Sequence, residues 1–182
     1  IPIMLLFAGI MIATTPLVAE ARGAKTPEKI PTIARQSLWV AVILGIVAML
    51  ILQCMPMFLP LFGVPESLLP KASLFLHAIG FGMPAVMMYA ALRSYSEALG
   101  HPRPVTVISL AALLVLIPLN MIFMYGFGPI PALGSAGCGF ATAILQWLMF
   151  ITLAIYISKA EAYKQAPIFT KWEKIDPTWV KR

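Results

Sequence analysis

The chain has 182 residues, of which 60% are apolar and only 11% carry a charge. A soluble domain has about twice that share of charged residues, and the mean hydropathy here is +0.91, so the composition argues against an ordinary soluble domain and favours an integral membrane protein. The net charge of +6 would suit a nucleic-acid-binding surface, but the basic residues lie where the topology of a membrane protein would put them.

Five long apolar segments follow one another along the chain, and none has an Asp, Glu, Lys or Arg in its interior. Their residues are 2–19, 38–57, 72–92, 105–125 and 137–158. Each is close to the ~20 residues that a helix needs to cross a ~30 Å hydrocarbon core, and backbone groups in lipid must be hydrogen-bonded internally. We therefore predict an all-α, polytopic bundle of five transmembrane helices, followed by a cytoplasmic linker over residues 159–182.

The basic residues are distributed unevenly between the loops. All but one of the 13 Lys and Arg residues fall in the loop after the first segment, the loop after the third, or the tail. They are Arg22, Lys25, Lys29, Arg35, Arg93, Arg103, Lys159, Lys164, Lys171, Lys174, Lys181 and Arg182. The exception is Lys71. Because an excess of Lys and Arg marks the cytoplasmic side, we predict that the loops 20–37 and 93–104 and the tail 159–182 are cytoplasmic.

The two ends of the chain suggest that it is a piece of a larger protein. The first residue is Ile1, and no charged region or cleavage site precedes the first segment, which argues against a signal peptide; at least one further helix is expected before it. The tail carries Tyr163, Phe169, Trp172 and Trp179 among its lysines, a mixture that suits the headgroup zone. The tail is either an ordinary linker near the membrane or a dedicated lipid-binding element.

Three prolines lie inside the predicted helices, at Pro16, Pro84 and Pro118. Each removes one backbone hydrogen bond and tends to bend its helix. Transporters use such broken helices around central cavities, although proline is common in membrane helices generally. Pro118 leaves the carbonyl of Leu114 without its helical donor, so the amide of Asn120 could help to coordinate a cation or a water there. A hydrogen bond between helices is the alternative for Asn120.

No catalytic or metal-binding constellation is visible in the sequence, and we predict that the protein is not an enzyme. Cys54 and Cys138 both lie near the outer ends of their helices and could be either a disulfide or two small buried apolar residues. His77, near the outer end of the third segment, is either a proton carrier or a satisfied interfacial histidine. The loop 93–104 is predicted to be a short solvated turn.

Three stretches of the chain resemble the MATE (multidrug and toxic compound extrusion) family, in its NorM-type branch. Residues 117–142, IPLNMIFMYGFGPIPALGSAGCGFAT, are similar to a hallmark of that branch. Residues 14–30, TTPLVAEARGAKTPEKI, resemble the end of the family's second helix with its cytoplasmic loop. Residues 91–105, ALRSYSEALGHPRPV, resemble the loop after its fourth helix. The stretches occur in the family's order, and the resemblance covers essentially the whole chain.

The resemblance implies that the five segments are helices two to six of a twelve-helix fold with two lobes, and that the chain is most of the amino-terminal lobe. Members carry an Asp on helix one, an Asn followed one turn later by an Asp or Asn on helix five, and a Thr on helix six. The positions on helices five and six correspond to Leu116, a departure from the usual Asn, to Asn120 and to Thr142. We predict a cation and substrate pathway that includes Asn120, Thr142 and Gln146.

The function implied by the resemblance is multidrug efflux in a bacterial inner membrane. Cationic and amphipathic drugs would be exported by alternating access against an inward flow of sodium ions or protons, with no other cofactor. The expected partners are membrane lipid, the drugs and the remaining helices of the transporter, and not nucleic acid. Two alternatives stay open: a lipid-linked oligosaccharide flippase of the same superfamily, which would project basic residues into a central cavity, and a non-transporting membrane scaffold subunit.

Overall fold

The computed structural model describes four long helices that are apolar enough to cross a membrane. They are α1 (Ile30–Cys54), α2 (Leu69–Ala98), α3 (Arg103–Tyr125) and α4 (Ser135–Lys159). These helices confirm the all-α, polytopic class and correspond to the last four predicted segments.

The residues described are 30–63, 65–127, 132–160 and 163. The first predicted segment, residues 2–19, lies outside them together with Pro16. The fifth transmembrane helix therefore stays a prediction.

The polar end of α2 differs from the prediction, because the helix continues through Ala98 instead of giving way to a solvated turn after residue 92. Ser94 and Ser96 are buried, with 6% and 0% of their surface exposed. On the outer face, Arg93 Nε donates to Glu97 Oε1 at 2.7 Å across one turn. Such an exposed ion pair contributes little, whereas Ser94, Tyr95, Ser96 and Ala98 are all buried, so burial accounts for most of the extra helix.

A 3₁₀ segment, Met55–Phe62, extends the apolar run beyond α1. Pro60 lies inside it and Pro56 in its first turn, and a proline has no N–H for the helical ladder. At 8 residues the segment is longer than the usual run of 3₁₀ helix. It ends at Gly63, which has a left-handed φ of 73° and whose N–H bonds to the carbonyls of Leu59 and Pro60.

A stripe of small residues on α1 brings it into close contact with α2. Ala41 and Ala48 have no exposed surface, and Leu52 on the same face is 7% exposed. Gly45 lies between them, and a Cβ atom built on Gly45 would be 2.5 Å from Cα of Pro84 on α2. Small residues at helical spacing permit this backbone approach. The bulk of Pro84 is therefore accommodated by the missing side chain of Gly45.

The other side of α2 packs against α4, again through glycines. A Cβ atom on Gly82 would lie 3.0 Å from Cα of Ala143, and one on Gly139 would lie 3.0 Å from the carbonyl oxygen of Phe75. Close packing of this kind drives helix association in lipid, where the hydrophobic effect between helices is absent. α2 is consequently the central helix, with α1 on one side and α4 on the other.

A hydrogen bond from α4 reaches the backbone of α2 beside Pro84. Proline leaves the carbonyl of Gly80 without its helical donor. The next carbonyl along the helix, that of Phe81, accepts a hydrogen bond from Nε1 of Trp147 at 3.0 Å. Both α2 and α3 run as continuous helices through Pro84 and Pro118, so the predicted bending at these prolines stays a prediction.

α3 lies at the edge of the described bundle. Only Val105 and Ala112 are buried along its whole length, while large apolar side chains such as Leu114 are exposed at 67%. It packs on α4, and the Tyr89 hydroxyl of α2 lies 3.0 Å from Ser109 Oγ of α3. The exposed face of α3 is suited to lipid or to helices beyond the described residues.

Candidate functional site: the polar positions of α3 and α4

The predicted pathway residues lie on the neighbouring helices α3 and α4, near a point of very close approach. Phe123 of α3 and Phe140 of α4 stack with ring centroids 6.3 Å apart. At the same level, a side chain on Gly137 would collide with the backbone carbonyl of Phe123. Asn120 lies one turn before Phe123 on α3, so it is held near this contact.

Asn120 has an unusual environment for a polar side chain in a membrane helix. Its Oδ1 atom is buried, and no hydrogen-bond donor reaches it within the described part of the chain. A buried polar atom without a partner costs about 1–3 kcal/mol. The sequence also leaves the carbonyl of Leu114 without a helical donor, because Pro118 has no N–H. Asn120 therefore offers an oxygen that is available to a cation, a water or a helix outside the described residues.

Thr142 is half-buried, and its hydroxyl forms a hydrogen bond within its own helix. Oγ1 donates to the carbonyl of Cys138 at 2.8 Å, one turn earlier on α4. A hydroxyl has one hydrogen and two acceptor lone pairs, so this bond fixes the rotamer and leaves the lone pairs free. Thr142 can then accept a hydrogen bond or coordinate a cation, but it cannot donate a second one.

Gln146 lies one helical turn beyond Thr142, and both residues are half-buried. Helical periodicity places the pair opposite the apolar stripe of α4 that is most exposed. That stripe consists of Ile144, Leu148, Ile151 and Ile155, which are 37% to 49% exposed. Thr142 and Gln146 therefore lie on the inner side of α4, away from the face suited to lipid.

The structure places these residues on adjacent helices but does not join them by a hydrogen bond to Asn120 Oδ1. Leu116, one turn before Asn120 on α3, is half-buried and contributes no polar atom. The interiors of α1–α4 carry no carboxylate. A buried cation needs an opposite charge or several oxygens to offset its lost hydration, so the described residues form only part of a cation site.

Two apolar cavities lie apart from these residues. One, of about 360 Å³, runs between α3 and α4 and is lined by residues such as Val107, Leu148 and Thr152. The other, of about 530 Å³, lies along the end of α1 and the 3₁₀ segment. None of the predicted pathway residues lines either cavity. Because Val107 and Leu148 are well exposed, the first cavity opens on the face suited to lipid.

The two remaining sequence candidates have simple environments. Cys54 ends α1 and Cys138 lies in the first turn of α4, and both thiols are free. The disulfide alternative is therefore wrong, and the thiols are separate. His77 is half-buried within α2. Both of its predicted roles, proton carrier and satisfied interfacial histidine, stay predictions.

A cluster at the end of α2 could not be found from the sequence. Tyr163, in the tail, is 2% exposed, and its hydroxyl lies 2.6 Å from Ser96 Oγ. Burial, the largest effect, raises the pKa of the Tyr163 phenol; the hydrogen bond with Ser96 lowers this pKa and the nearby Tyr156 raises it. With its pKa raised overall, the phenol keeps its proton at neutral pH. Tyr163 is thus buried against protein and is not available to lipid headgroups.

Comparison with known proteins identifies relatives along the whole chain. Residues 1–122 match the family model described as MatE. The chain is 76% identical over 181 residues to the probable multidrug resistance protein NorM of Acinetobacter baylyi, an alignment that covers 100% of this chain and 40% of that protein. It is 35% identical over 174 residues to the multidrug resistance protein PmpM of Pseudomonas aeruginosa, covering 95% of this chain and 36% of that protein.

Two solved structures of transporters have the same fold as this chain. An inward-facing multidrug resistance MATE family transporter of the MOP superfamily aligns with a TM-score of 0.85 at 18% identity, over 98% of this chain and 40% of that chain. The eukaryotic MATE transporter AtDTX14 aligns with a TM-score of 0.81 at 20% identity, over 98% of this chain and 38% of that chain. At such identities the likeness concerns the fold. The chain spans about 40% of the length of the NorM relative.

Proposed function

The chain belongs to the MatE family, and we propose on that basis that it forms part of a cation-coupled multidrug efflux antiporter in a bacterial inner membrane. The substrates would be cationic and amphipathic drugs, and the coupling ion sodium or a proton. Relatives that align with 100% and 95% of the chain are named as multidrug resistance proteins, which supports efflux as the activity. The four apolar helices supply the multi-pass membrane anchor.

The observation that supports the coupling role most strongly is the unpaired, buried Oδ1 of Asn120. A helix-packing residue in lipid normally finds a hydrogen-bond partner on a neighbouring helix. Asn120 instead keeps an acceptor oxygen that lacks a donor on α1–α4. The acid required to balance a cation would come from a helix outside the described residues, as the family resemblance implies for helix one.

The proposed mechanism is alternating access between two lobes. Asn120 and Thr142 share the cation with the acidic group, or accept a hydrogen bond from that group when it is protonated, because both present oxygen lone pairs. Occupation of that site by sodium or a proton changes which arrangement of the helices is favoured, and a ligand shifts such an equilibrium only through its differential affinity for the two states. Release of the coupling ion on the cytoplasmic side then resets the cavity for drug.

Ethidium accumulation in cells tests the proposed activity. The full-length protein, expressed in a bacterial strain that lacks its own efflux pumps, is expected to lower intracellular ethidium, and an ionophore that collapses the ion gradient should abolish the effect. A matched culture expressing only residues 1–182 is expected to accumulate ethidium like the empty-vector control, because a pathway between two lobes is then incomplete. Ionophore-sensitive export by residues 1–182 alone would contradict the two-lobe mechanism.

Cysteine labelling tests the proposed orientation. In a background with Cys54 and Cys138 replaced by Ser, we expect an impermeant thiol reagent applied to intact cells to label Glu66→Cys and not Arg103→Cys. Both positions are exposed, so a difference in labelling reports the side of the membrane. The physical reason is the excess of Lys and Arg in the loops assigned to the cytoplasm. Labelling of Arg103→Cys alone would invert the topology.

A further inference from the structure

The turn between α2 and α3 is closed by Ser96. Its backbone carbonyl accepts the N–H of His101 at 2.9 Å, and its Oγ donates to the carbonyl of His101 at 2.6 Å. Gly100, at a φ of 73°, adopts the left-handed conformation that lets the chain reverse. A fully buried serine with these contacts fixes the position of residues 99–102, here called the α2–α3 turn.

Tyr163 binds to this turn from the other end of the described chain. The single hydrogen of Ser96 Oγ is committed to the His101 carbonyl, so Tyr163 must donate in the 2.6 Å contact between the two hydroxyls. The Tyr163 ring lies 5.9 Å from the ring of Tyr95 and 5.7 Å from that of His101. The result is a two-step hydrogen-bond chain from Tyr163 through Ser96 to His101, enclosed by aromatic rings.

The path of the chain after α4 explains how Tyr163 reaches this position. α4 ends at Lys159, and Ala160 has extended backbone angles, with φ −74° and ψ 132°. The N–H of Tyr163 then bonds to the carbonyl of Ala160 at 3.1 Å. Ala160 thus departs from the helical conformation, and Tyr163 lies against Ser96 of α2. The ring also packs 6.3 Å from Tyr156, in the last turns of α4.

We propose that the last turns of α2 together with the α2–α3 turn are the docking surface for the segment that follows α4, and that Tyr163 is the residue that anchors it. The contact makes the α2–α3 turn, the end of α4 and the start of that segment one unit. For the full-length protein the inference rests on the proposed function, in which this segment joins the lobe to a second one. The anchored part of the chain then extends to Tyr163 and not only to Lys159, which shortens the reach of the chain that follows and ties its starting point to α2.

The test is limited trypsin digestion of the full-length protein in lipid nanodiscs, where both faces are accessible. Cleavage after Lys164, beside the anchor, is compared with cleavage after Lys181 in the same molecule, by mass spectrometry. Tyr163→Phe removes only the donated hydrogen bond. We expect it to accelerate cleavage after Lys164 about three- to tenfold relative to Lys181, as loss of a hydrogen bond of ordinary strength would predict.

Two further variants identify the bond responsible. Tyr156→Phe is the matched control: Tyr156 belongs to the same ring cluster but is 45% exposed, and it should leave the cleavage ratio unchanged. In a Ser96→Ala background, Tyr163→Phe should have no additional effect, because the two changes remove the same bond. An unchanged ratio in Tyr163→Phe, or an equal acceleration by Tyr156→Phe, would overturn the proposal.

The digestion does not measure transport, so the proposed anchor and the proposed efflux function can fail separately. Accelerated cleavage in a protein that exports no ethidium would leave the anchor standing and remove the efflux function. Normal efflux with an unchanged cleavage ratio would support the efflux function and contradict the anchor. Tyr163 would then be assigned to the headgroup zone.

Discussion

Gly45→Ala is expected to destabilise the protein strongly, although it adds only one methyl group. The new Cβ atom would lie 2.5 Å from Cα of Pro84 and 3.2 Å from its nitrogen. These are backbone atoms in the middle of α2 and cannot move aside as a side chain would. Overpacking of a tight contact typically costs about 1–3 kcal/mol. We expect a lower yield of membrane-inserted protein and a lower midpoint of thermal unfolding in detergent.

The matched control for Gly45→Ala is Gly80→Ala. Gly80 also lies on the α1–α2 interface, but a Cβ atom there would meet Gln53 Nε2 at 3.5 Å and Leu52 Cβ at 3.6 Å, which are ordinary contacts. Its stability should therefore stay close to that of the unmodified protein. Equal unfolding midpoints for the two variants would show that α1 and α2 do not approach as closely as the structure indicates.

Asn120→Leu and Thr142→Val are expected to reduce cation-coupled efflux by the full-length protein more than they reduce its insertion. Each removes an oxygen that we propose to share the cation with an acidic group on a helix outside the described residues, or to accept a hydrogen bond from that group when it is protonated. A hydrogen bond to a charged group contributes about 1.5–3 kcal/mol, which corresponds to roughly a tenfold to hundredfold change in an equilibrium constant. The measurement is ethidium efflux normalised to inserted protein, across a sodium series and a pH series.

Conservative changes separate a coupling role from a packing role. Thr142→Ser keeps the oxygen, and with it the hydrogen bond to Cys138, so it should restore most of the normalised efflux. If Asn120 and Thr142 only pack between helices, their apolar variants should lower the protein yield while each inserted molecule transports normally. Normal efflux per molecule with an unaltered sodium and pH dependence in both apolar variants would remove these residues from the mechanism.

The existence and order of the described helices could be predicted from the sequence because long uncharged apolar runs leave the chain few alternatives in lipid. Their ends could not. The residues after Leu92 are polar, and polarity alone indicated a solvated loop. The helix continues because its side chains there, Ser94 and Ser96 among them, are buried, which is a property of the tertiary structure.

The candidate site was predictable only in part, for the same reason. Asn120 and Thr142 could be identified from a local motif, but whether their oxygens were already paired depended on neighbours that the motif does not specify. Nothing in the sequence indicated that Tyr163 is buried. Among lysines and other aromatic residues it resembled an interfacial tyrosine, whereas its burial depends on Ser96, which is distant in the sequence and lay in a stretch predicted to be solvated.

The central position of α2 also bears on how the protein is made. α2 is the least apolar and the most buried of the four described spans. A polytopic chain enters the bilayer helix by helix as the ribosome extends it, and a span rich in small and polar residues gains little from lipid alone. α3 is apolar enough to reside in lipid by itself. α2 depends on packing against the stripe of small residues on α1, the helix that precedes it in the chain. Damage at Gly45 would therefore act during biosynthesis, before α4 has entered the bilayer.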